Sequence, residues 1–470
     1  MNKSLYSLLP VIIVLLGAGP MSSVATADEP IDWEYQIAYQ RGIEAVNWAV
    51  PAVSMINFRK AYFGLGGGFN TIYYLSQPPT PKTETLTANN QTGYATILMT
   101  TRNGPVVLDI PPASDRAMIF GSAVDIWEVP VADMGPAGFD KGRGGRYLFL
   151  PPGYEGDIPE GYFTVPMETY NLFVALRLIP RNGASFSEAA NYAMNINAYS
   201  LAEADKPPAG NYIDIYDKHL PTLPDYDLSY YEDIAAMLNE EPLLERDKVM
   251  GGMLASIGIE KGKPFKPEGK VKQALERAVS DGKDYLDFLF TTPGYAWEKY
   301  WDDRQWMSVV TPSSEGFVFD EGDYLLLDAR GAMFSFVTFA PRRLGKASAY
   351  IVATKDADGA PLSGNANYRL TVPADVPVRD FWSIIAYEME TRSFIYNDLD
   401  RVGLSSLDAA KMQLNADGSV DIYFGKTAPA GLESNWIPTG GKGFFPMFRL
   451  YGPEEAFFDK TFKLEDIAKL

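Results

Sequence analysis

The segment "YAWEKYWDDRQW", which runs from Tyr295 to Trp306, holds the densest set of side chains that could contact a ligand. It contains three of the eight tryptophans of the chain, Trp297, Trp301 and Trp306. If the segment is helical, Trp297 and Trp301 lie one turn apart on the same face. Such a face suits a sugar ring or another flat organic ligand. The alternative is that the rings pack a helix against a sheet, because large aromatic side chains are mostly buried.

The charged residues of the same segment could add polar contacts or acid chemistry. Glycoside hydrolysis uses two carboxylates, and Asp302 and Asp303 are neighbours in the sequence. Adjacent residues of a helix point about 100° apart, so this pair could flank one bond only if the segment is a loop. We therefore treat Asp302 and Asp303 as catalytic candidates that need distant partners, and Arg304 as a candidate ligand contact.

His219 is the single histidine of the chain and limits what imidazole chemistry is available. A Ser-His-Asp triad would have to use it, but the sequence has no Gly-x-Ser-x-Gly motif. Asp214 and Asp217 are close enough in sequence to orient its ring. The alternative is a histidine in a proline-rich loop that takes no part in chemistry.

Metal and nucleotide sites are not indicated by the sequence. The chain has no cysteine and one histidine, which argues against zinc. The stretches "KDADGAPL" and "NADGSVD" have acids spaced by two around a glycine, but they lack the glutamate that closes a calcium loop, so hairpin turns are favoured. The stretch "TGGKGFF" has no Ser or Thr after its lysine and leads into a strand pattern, so it is not a phosphate-binding loop. We predict no metal and no cofactor.

Arg449 follows this glycine-rich turn on a strand rich in aromatic residues. Alternation places Phe445, Met447, Arg449 and Tyr451 on one face of that strand. An arginine among aromatic residues is either buried with an acid or available to hold the carboxylate of a ligand. Both interpretations stay open, and Arg449 joins the three tryptophans and Arg304 as a candidate ligand-binding residue.

The N-terminus and the composition indicate the compartment. Lys3 precedes an apolar stretch of about 15 residues, and Ala25 and Ala27 form the small-residue site of a cleavable secretory signal. We expect cleavage after Ala27, a periplasmic or secreted protein, and no membrane insertion after cleavage. The net charge of −19 argues against nucleic acid as a partner, because nucleic acid binds basic patches. Self-association into a homo-oligomer stays open.

The spacing of the apolar residues changes twice along the chain, and these changes predict the domain boundaries. Residues 28–181 open with a helix that Pro51 ends or kinks, and continue with short strands. Residues 182–310 have helical spacing, with a capping box at Ser185 and Glu188, and residues 311–470 alternate again. The predicted class is α+β, mainly β, with two antiparallel β-sandwich-like or jelly-roll-like domains and a helical middle segment.

Several motifs in order resemble a known pair of modules. The stretches "NNQTGYATILMTTRNGPVVLDIPP" and "GGRYLFLPPGYEG" resemble the domain of unknown function 1254. The stretches "FWSIIAYEMETRSFIYN" and "NWIPTGGKGFFPMFRLYGP" resemble the domain of unknown function 1214. The resemblance implies an exported two-module protein that is largely β and has no established activity. One departure is Gln91, where the family usually carries an aspartate.

Two hypotheses about function follow. In the first, the protein binds a small organic or carbohydrate ligand in an aromatic-lined cleft between its modules. In the second, it is a hydrolase of an ester, amide or glycoside that works through carboxylates, or through Ser or Tyr with His219.

Overall fold

The computed structural model describes residues 30–309, 316–338 and 348–470. The expected signal peptide, residues 1–27, lies outside these described residues. Within the described ranges, no helix combines the length and the apolar character needed to cross a bilayer. The α-helices in these ranges are α1 (Trp33–Gly64), α2 (Phe186–Asn191), α3 (Leu228–Glu240), α4 (Lys248–Ala255), α5 (Gly269–Thr291), α6 (Leu327–Phe334) and α7 (Glu455–Phe458).

The N-terminal module is a two-layer sandwich. Its strands are β1 (Thr71–Tyr74), β2 (Thr83–Glu84), β3 (Gly93–Thr100), β4 (Val106–Ile110), β5 (Ala117–Asp125), β6 (Pro130–Met134), β7 (Gly145–Leu150), β8 (Tyr162–Pro166), β9 (Asn171–Pro180), β10 (Asn197–Ser200), β11 (Asn211–Asp214) and β12 (Leu220–Pro221). A six-stranded sheet has the order β11-β1-β3-β9-β5-β6, and a four-stranded sheet has the order β10-β4-β7-β8. Strands β2 and β12 form a separate pair.

The C-terminal module repeats this arrangement. Its strands are β13 (Trp297–Lys299), β14 (Met307–Val309), β15 (Ser348–Val352), β16 (Tyr368–Val372), β17 (Val378–Glu388), β18 (Gly403–Ser405), β19 (Val420–Gly425), β20 (Trp436–Pro438), β21 (Phe444–Pro453) and β22 (Ala468–Lys469). The six-stranded sheet has the order β13-β14-β15-β21-β17-β18, and the four-stranded sheet has the order β20-β19-β16-β22. The predicted α+β class with two sandwiches is therefore confirmed. The sheets are mainly antiparallel as predicted, but the edge strands β11, β8 and β20 pair parallel with their neighbours.

The helical segment between the sandwiches is shorter than the predicted 182–310. Residues 197–221 contribute β10, β11 and β12 to the N-terminal module, and residues 297–309 contribute β13 and β14 to the C-terminal sheet. These strands have two to four residues each. Strands so short cannot display a period of two, so the sequence did not separate them from the helices.

Helix α1 lies at the centre of the molecule. It continues through Pro51 for 32 residues, so the proline does not end it. Residues from Ala45 to Ile56 are buried on every side of the helix. A helix buried all round belongs in the interior of a large protein rather than on its surface.

Each six-stranded sheet packs one face into its own sandwich and turns the other face toward α1. In the N-terminal sheet, Ile97 and Leu176 point into the sandwich, whereas Phe173 belongs to the central core around α1. In the C-terminal sheet, Phe448 points into the sandwich and Met447 joins the same central core. Alternation along the strands thus gives each six-stranded sheet a second apolar face, which lies outside its own sandwich. We call these two faces the inner sheet faces, because they meet in the middle of the molecule.

Candidate functional site

The tryptophan-rich segment is a β-hairpin and not a helix. Strand β13 pairs antiparallel with β14, so that Trp297 lies opposite Val309. Strand β14 in turn pairs with β15, which makes the hairpin the edge of the C-terminal sheet. Tryptophan and tyrosine have high β propensity, and pairing with the edge of the neighbouring sheet favours a strand over a helix here. The hypothesis that Trp297 and Trp301 lie one helical turn apart on the same face is therefore wrong.

The structure buries the three tryptophans in two different cores. Trp297 lies in the central core and stacks on Phe336, with ring centroids 4.4 Å apart. Trp301 and Trp306 lie in the core of the C-terminal sandwich, where the Trp306 Nε1 donates to the carbonyl of Glu465 at 2.9 Å. The three side chains therefore do not form one common surface.

The charged residues of the hairpin lie near the C-terminal end of the chain. The carboxylate of Asp303 accepts two hydrogen bonds of 2.9 Å from Lys463, and Arg304 lies 3.2 Å from Glu465. The hydrogen bond from Lys463 lowers the pKa of Asp303, so this acid is ionised at neutral pH. Asp302 is exposed beside it. These contacts close the hairpin against the C-terminal residues.

His219 lies in the other module and does not meet these acids. Its Nε2 lies 3.0 Å from Glu84 Oε1, and its side chain is 63% exposed. Asp217 pairs with Lys82, and Asp214 accepts backbone amides, so neither orients the imidazole. Within the described part of the chain, no serine or tyrosine hydroxyl is hydrogen-bonded to His219. The residue lines a polar cavity of about 1080 Å³, whose wall also includes Glu390 and Arg392 of the C-terminal module.

The two acidic stretches form turns, as the sequence predicts. Asp356 Oδ1 accepts the amides of Asp358 and Ala360, and Asp417 Oδ1 accepts the amide of Ser419. Among residues 30–309, 316–338 and 348–470, no group of three metal-ligating side chains comes together.

A second cavity of about 510 Å³ lies where the two inner sheet faces and the helices meet. The N-terminal sheet contributes Tyr94, Phe120 and Phe173 to its wall. The C-terminal sheet contributes Tyr350 and Met447. Phe58 of α1, Met333 of α6, and Phe336, which follows α6, complete a lining that is mainly apolar. We call this space the inter-module cavity.

Arg449 of β21 lines the inter-module cavity and is only 4% exposed. Its Nη2 donates to the carbonyl of Thr87 at 3.1 Å and to the hydroxyl of Tyr387 at 2.6 Å. Its Nη1 is buried and has no hydrogen-bond partner within residues 30–309, 316–338 and 348–470. Among the described residues, no carboxylate pairs with this guanidinium, so the interpretation of Arg449 as buried with an acid is not supported.

Arg177 of β9 lines the same cavity from the opposite module. Its Nη1 donates to Thr92 Oγ1 at 3.1 Å, and the guanidinium lies 5.1 Å from the ring centroid of Tyr94. Sequence analysis missed Arg177, although a signal was present, because it is the single charged residue of the apolar strand "NLFVALRLIP". The same reasoning that selected Arg449 would have selected it.

Tyrosines surround both guanidinium groups. Tyr350 and Tyr451 are electrostatic neighbours of Arg177 and of Arg449. Burial raises the pKa of Tyr451 to about 12 and raises the pKa of Tyr387 as well, so both hydroxyls are neutral at pH 7. Arginine stays protonated under all ordinary conditions. The cavity therefore contains two cations beside neutral hydroxyls.

The segment from Thr85 to Asn89 connects the modules at this site. The Thr87 amide donates to the carbonyl of Arg392 at 2.7 Å, and its hydroxyl donates to the carbonyl of Phe336 at 2.7 Å. The φ angle of Thr87 is 37°, a conformation that a β-branched residue rarely adopts. Such backbone outliers persist only where the surrounding contacts enforce them.

Comparison with known proteins identifies a fold and two modules but no activity. The chain resembles the VPA0106 protein from Vibrio parahaemolyticus, whose crystal structure aligns with a TM-score of 0.54 at 18% identity, over 93% of this chain and 100% of that one. This likeness shows a shared fold. A crystal structure of an uncharacterized protein from Burkholderia cenocepacia aligns over 93% of this chain and 96% of that one, with a TM-score of 0.40 and 12% identity. No curated protein matches the chain.

Two family descriptions match the modules. Residues 69–200 match a family described as "Protein of unknown function (DUF1254)", and residues 347–455 match one described as "Protein of unknown function (DUF1214)". The first match covers most of the N-terminal sandwich, and the second covers strands β15 to β21 of the C-terminal one. The chain therefore carries a DUF1254 module followed by a DUF1214 module, the arrangement that its sequence motifs predict.

Proposed function

We propose that the protein binds a small, largely apolar organic ligand in the inter-module cavity. The observation that carries this proposal is the meeting of the two inner sheet faces around a mainly apolar cavity of about 510 Å³. Ligand pockets in proteins have volumes of roughly 300–1,000 Å³ and combine an apolar wall with a few polar groups.

The lining favours an apolar organic ligand over a carbohydrate. Phe58, Phe120, Phe173 and Phe336 contribute aromatic surface to the wall. A sugar has many hydroxyl groups, and each of them would need a hydrogen-bond partner when it is removed from water. In the cell, we expect this binding protein in the periplasm or outside the cell, where the predicted signal sequence would direct it.

The hydrolase hypothesis has no comparable support. Ser122 and Asp133 line the inter-module cavity and form a 2.6 Å hydrogen bond. A serine nucleophile needs a base such as histidine to take its proton. His219, the single histidine, lines the polar cavity instead.

A neutral fluorescent probe tests the proposal. We expect 1-aminoanthracene to bind the full chain with an increase in emission, and Met118→Trp to abolish this binding. Met118 lines the cavity on β5, a strand where tryptophan is well tolerated, so the larger ring would fill the space. The matched control is Met253→Trp on α4, where the side chain is 37% exposed and outside the cavity. Equal binding by both variants would contradict the proposal.

A further inference from the structure

We infer that the ligand of the inter-module cavity is an amphiphilic organic anion, whose carboxylate is bound by Arg449 and Arg177. This inference rests on the proposed function and specifies the chemical class of the ligand. It depends on the two arginines that line the cavity, on the absence of a counter-charge near them among the described residues, and on the apolar wall beyond them.

Among the described residues, Arg449 has no charged partner of the kind that a buried guanidinium requires. Buried charged groups are almost always paired, because the loss of hydration is costly. Arg449 is 4% exposed, and its two acceptors, the Thr87 carbonyl and the Tyr387 hydroxyl, are neutral. In the part of the chain that the structure describes, its Nη1 has no acceptor. A carboxylate is the natural partner of the planar guanidinium fork, and a ligand would supply it here.

The acid of the cavity wall, Asp133, is hydrogen-bonded to Ser122 and, among the described residues, pairs with neither arginine. Asp133 lines the cavity on β6, where it accepts a hydrogen bond from Ser122. Arg177 lies on β9, and β5 separates the two strands in the sheet. Two strand spacings amount to about 10 Å across a sheet. In the described ranges, the electrostatic neighbours of both guanidinium groups are tyrosines and not Asp133.

Arg177 places a second positive charge at the same end of the cavity. Tyr350 and Tyr451 neighbour both arginines, which brings the two guanidinium groups to one region of the wall. Arg177 is only partly buried, so a ligand can reach it more easily than Arg449. A carboxylate at this end of the cavity would therefore lie near two positive charges.

The rest of the wall suits the apolar part of such a ligand. Met118, Met134, Met333 and Met447 all line the cavity. Methionine is flexible and polarizable, and it adapts to apolar ligands of different shapes. The combination of two cations with methionine and phenylalanine surface matches a carboxylic acid with a hydrocarbon body.

Competition between matched compounds tests the inference. We would displace bound 1-aminoanthracene from the full chain at pH 7.5 with decanoate and decanol, and with 2-naphthoate and 2-naphthol. Each pair shares a similar body and differs in the anionic group. We expect the better-fitting acid to act at a concentration about tenfold lower than its alcohol, the size of effect that a charged hydrogen bond gives. In Arg449→Met this preference disappears, while displacement by the alcohol is unchanged.

Two further variants make the result interpretable. Arg177→Met removes the more exposed cation and should also weaken binding of the acid. This variant provides the test if Arg449→Met fails to fold. Arg102→Met removes an exposed charge elsewhere and should leave the preference intact. Equal displacement by acid and alcohol in the parent, or a preference that survives both cavity variants, overturns the inference. So does a lack of displacement by all four compounds. Failure of 1-aminoanthracene to bind at all would instead count against the proposed function.

Discussion

Arg449 Nη2 lies 2.6 Å from the hydroxyl of Tyr387, and that hydroxyl donates in turn to the carbonyl of Ala88. Arg449 and Tyr387 lie on the adjacent strands β21 and β17 of the C-terminal sheet, whereas Ala88 belongs to the segment that precedes β3 of the N-terminal module. This short chain of hydrogen bonds therefore joins the two modules at the wall of the inter-module cavity.

Tyr387→Phe should break this link. The variant removes a donor from Ala88 and an acceptor from a buried guanidinium, so we expect the free energy of unfolding to fall by about 1–3 kcal/mol. Urea unfolding of the variant and the parent measures the difference. Tyr216→Phe, at a side chain that is 38% exposed, is the matched control. Equal stabilities of the two variants would show that the link contributes nothing.

Arg449→Met should change stability much less than its burial suggests. The variant removes two hydrogen bonds but also removes a charge whose desolvation costs several kcal/mol. We expect the free energy of unfolding to stay within about 1 kcal/mol of the parent, because the two effects offset each other. The same urea titration provides the value. A large loss of stability would assign Arg449 to the scaffold and not to ligand binding.

Trp301→Ala should be strongly destabilising. The ring is 2% exposed in the C-terminal core, so its removal leaves a cavity and should lower the free energy of unfolding by about 3–5 kcal/mol. Trp33→Ala, at a ring that is 62% exposed, is the control and should have little effect. If Trp301→Ala unfolds like the parent, the ring lies in an accessible cleft and the earlier ligand-contact hypothesis regains its basis.

Glu128→Gln should stabilise the protein at alkaline pH. Burial raises the pKa of Glu128 well above its usual range, and burial raises the pKa of its neighbour Asp125 to about 7. The folded protein thus keeps a proton on Glu128 that the unfolded chain releases above a pH of about 4. Stability contributed by Glu128 is therefore complete at lower pH and is lost as the pH rises toward the folded pKa.

The amide cannot ionise, so the variant escapes this loss. We expect Glu128→Gln to gain at least ~1.4 kcal/mol over the parent between pH 5 and pH 8, the equivalent of one pKa unit. Urea unfolding at both pH values measures this difference. Glu160→Gln replaces an exposed glutamate and should show no gain. A constant difference between Glu128→Gln and the parent across this range would mean that Glu128 is ionised in the folded protein.

The sequence predicted the elements whose signals are local. The capping box of Ser185 and Glu188 is present at the start of α2, and the long strands β3, β9 and β21 coincide with alternating or continuous apolar runs. The hairpin of β13 and β14 was missed because each strand has three residues, and pairing with β15 outweighs local spacing.

The sequence analysis hypothesised an aromatic-lined cleft between the modules, but the residues that line the inter-module cavity could not be predicted in the same way. Its wall combines Phe58, Arg177, Phe336 and Arg449, which are far apart in the chain and meet only after both sandwiches dock on α1. A single sequence does not carry such long-range pairing. A sequence does show where a charged residue interrupts an apolar strand, and this pattern identifies both Arg177 and Arg449.

A crystal structure of the protein purified from its own cells, without any exchange of ligand, tests the central claim most directly. The proposal predicts electron density for a small organic molecule in the inter-module cavity, in contact with Phe173 and Met447 and with an acidic group at Arg449. A cavity that contains only ordered water, or that is filled by side chains of the protein, would contradict it.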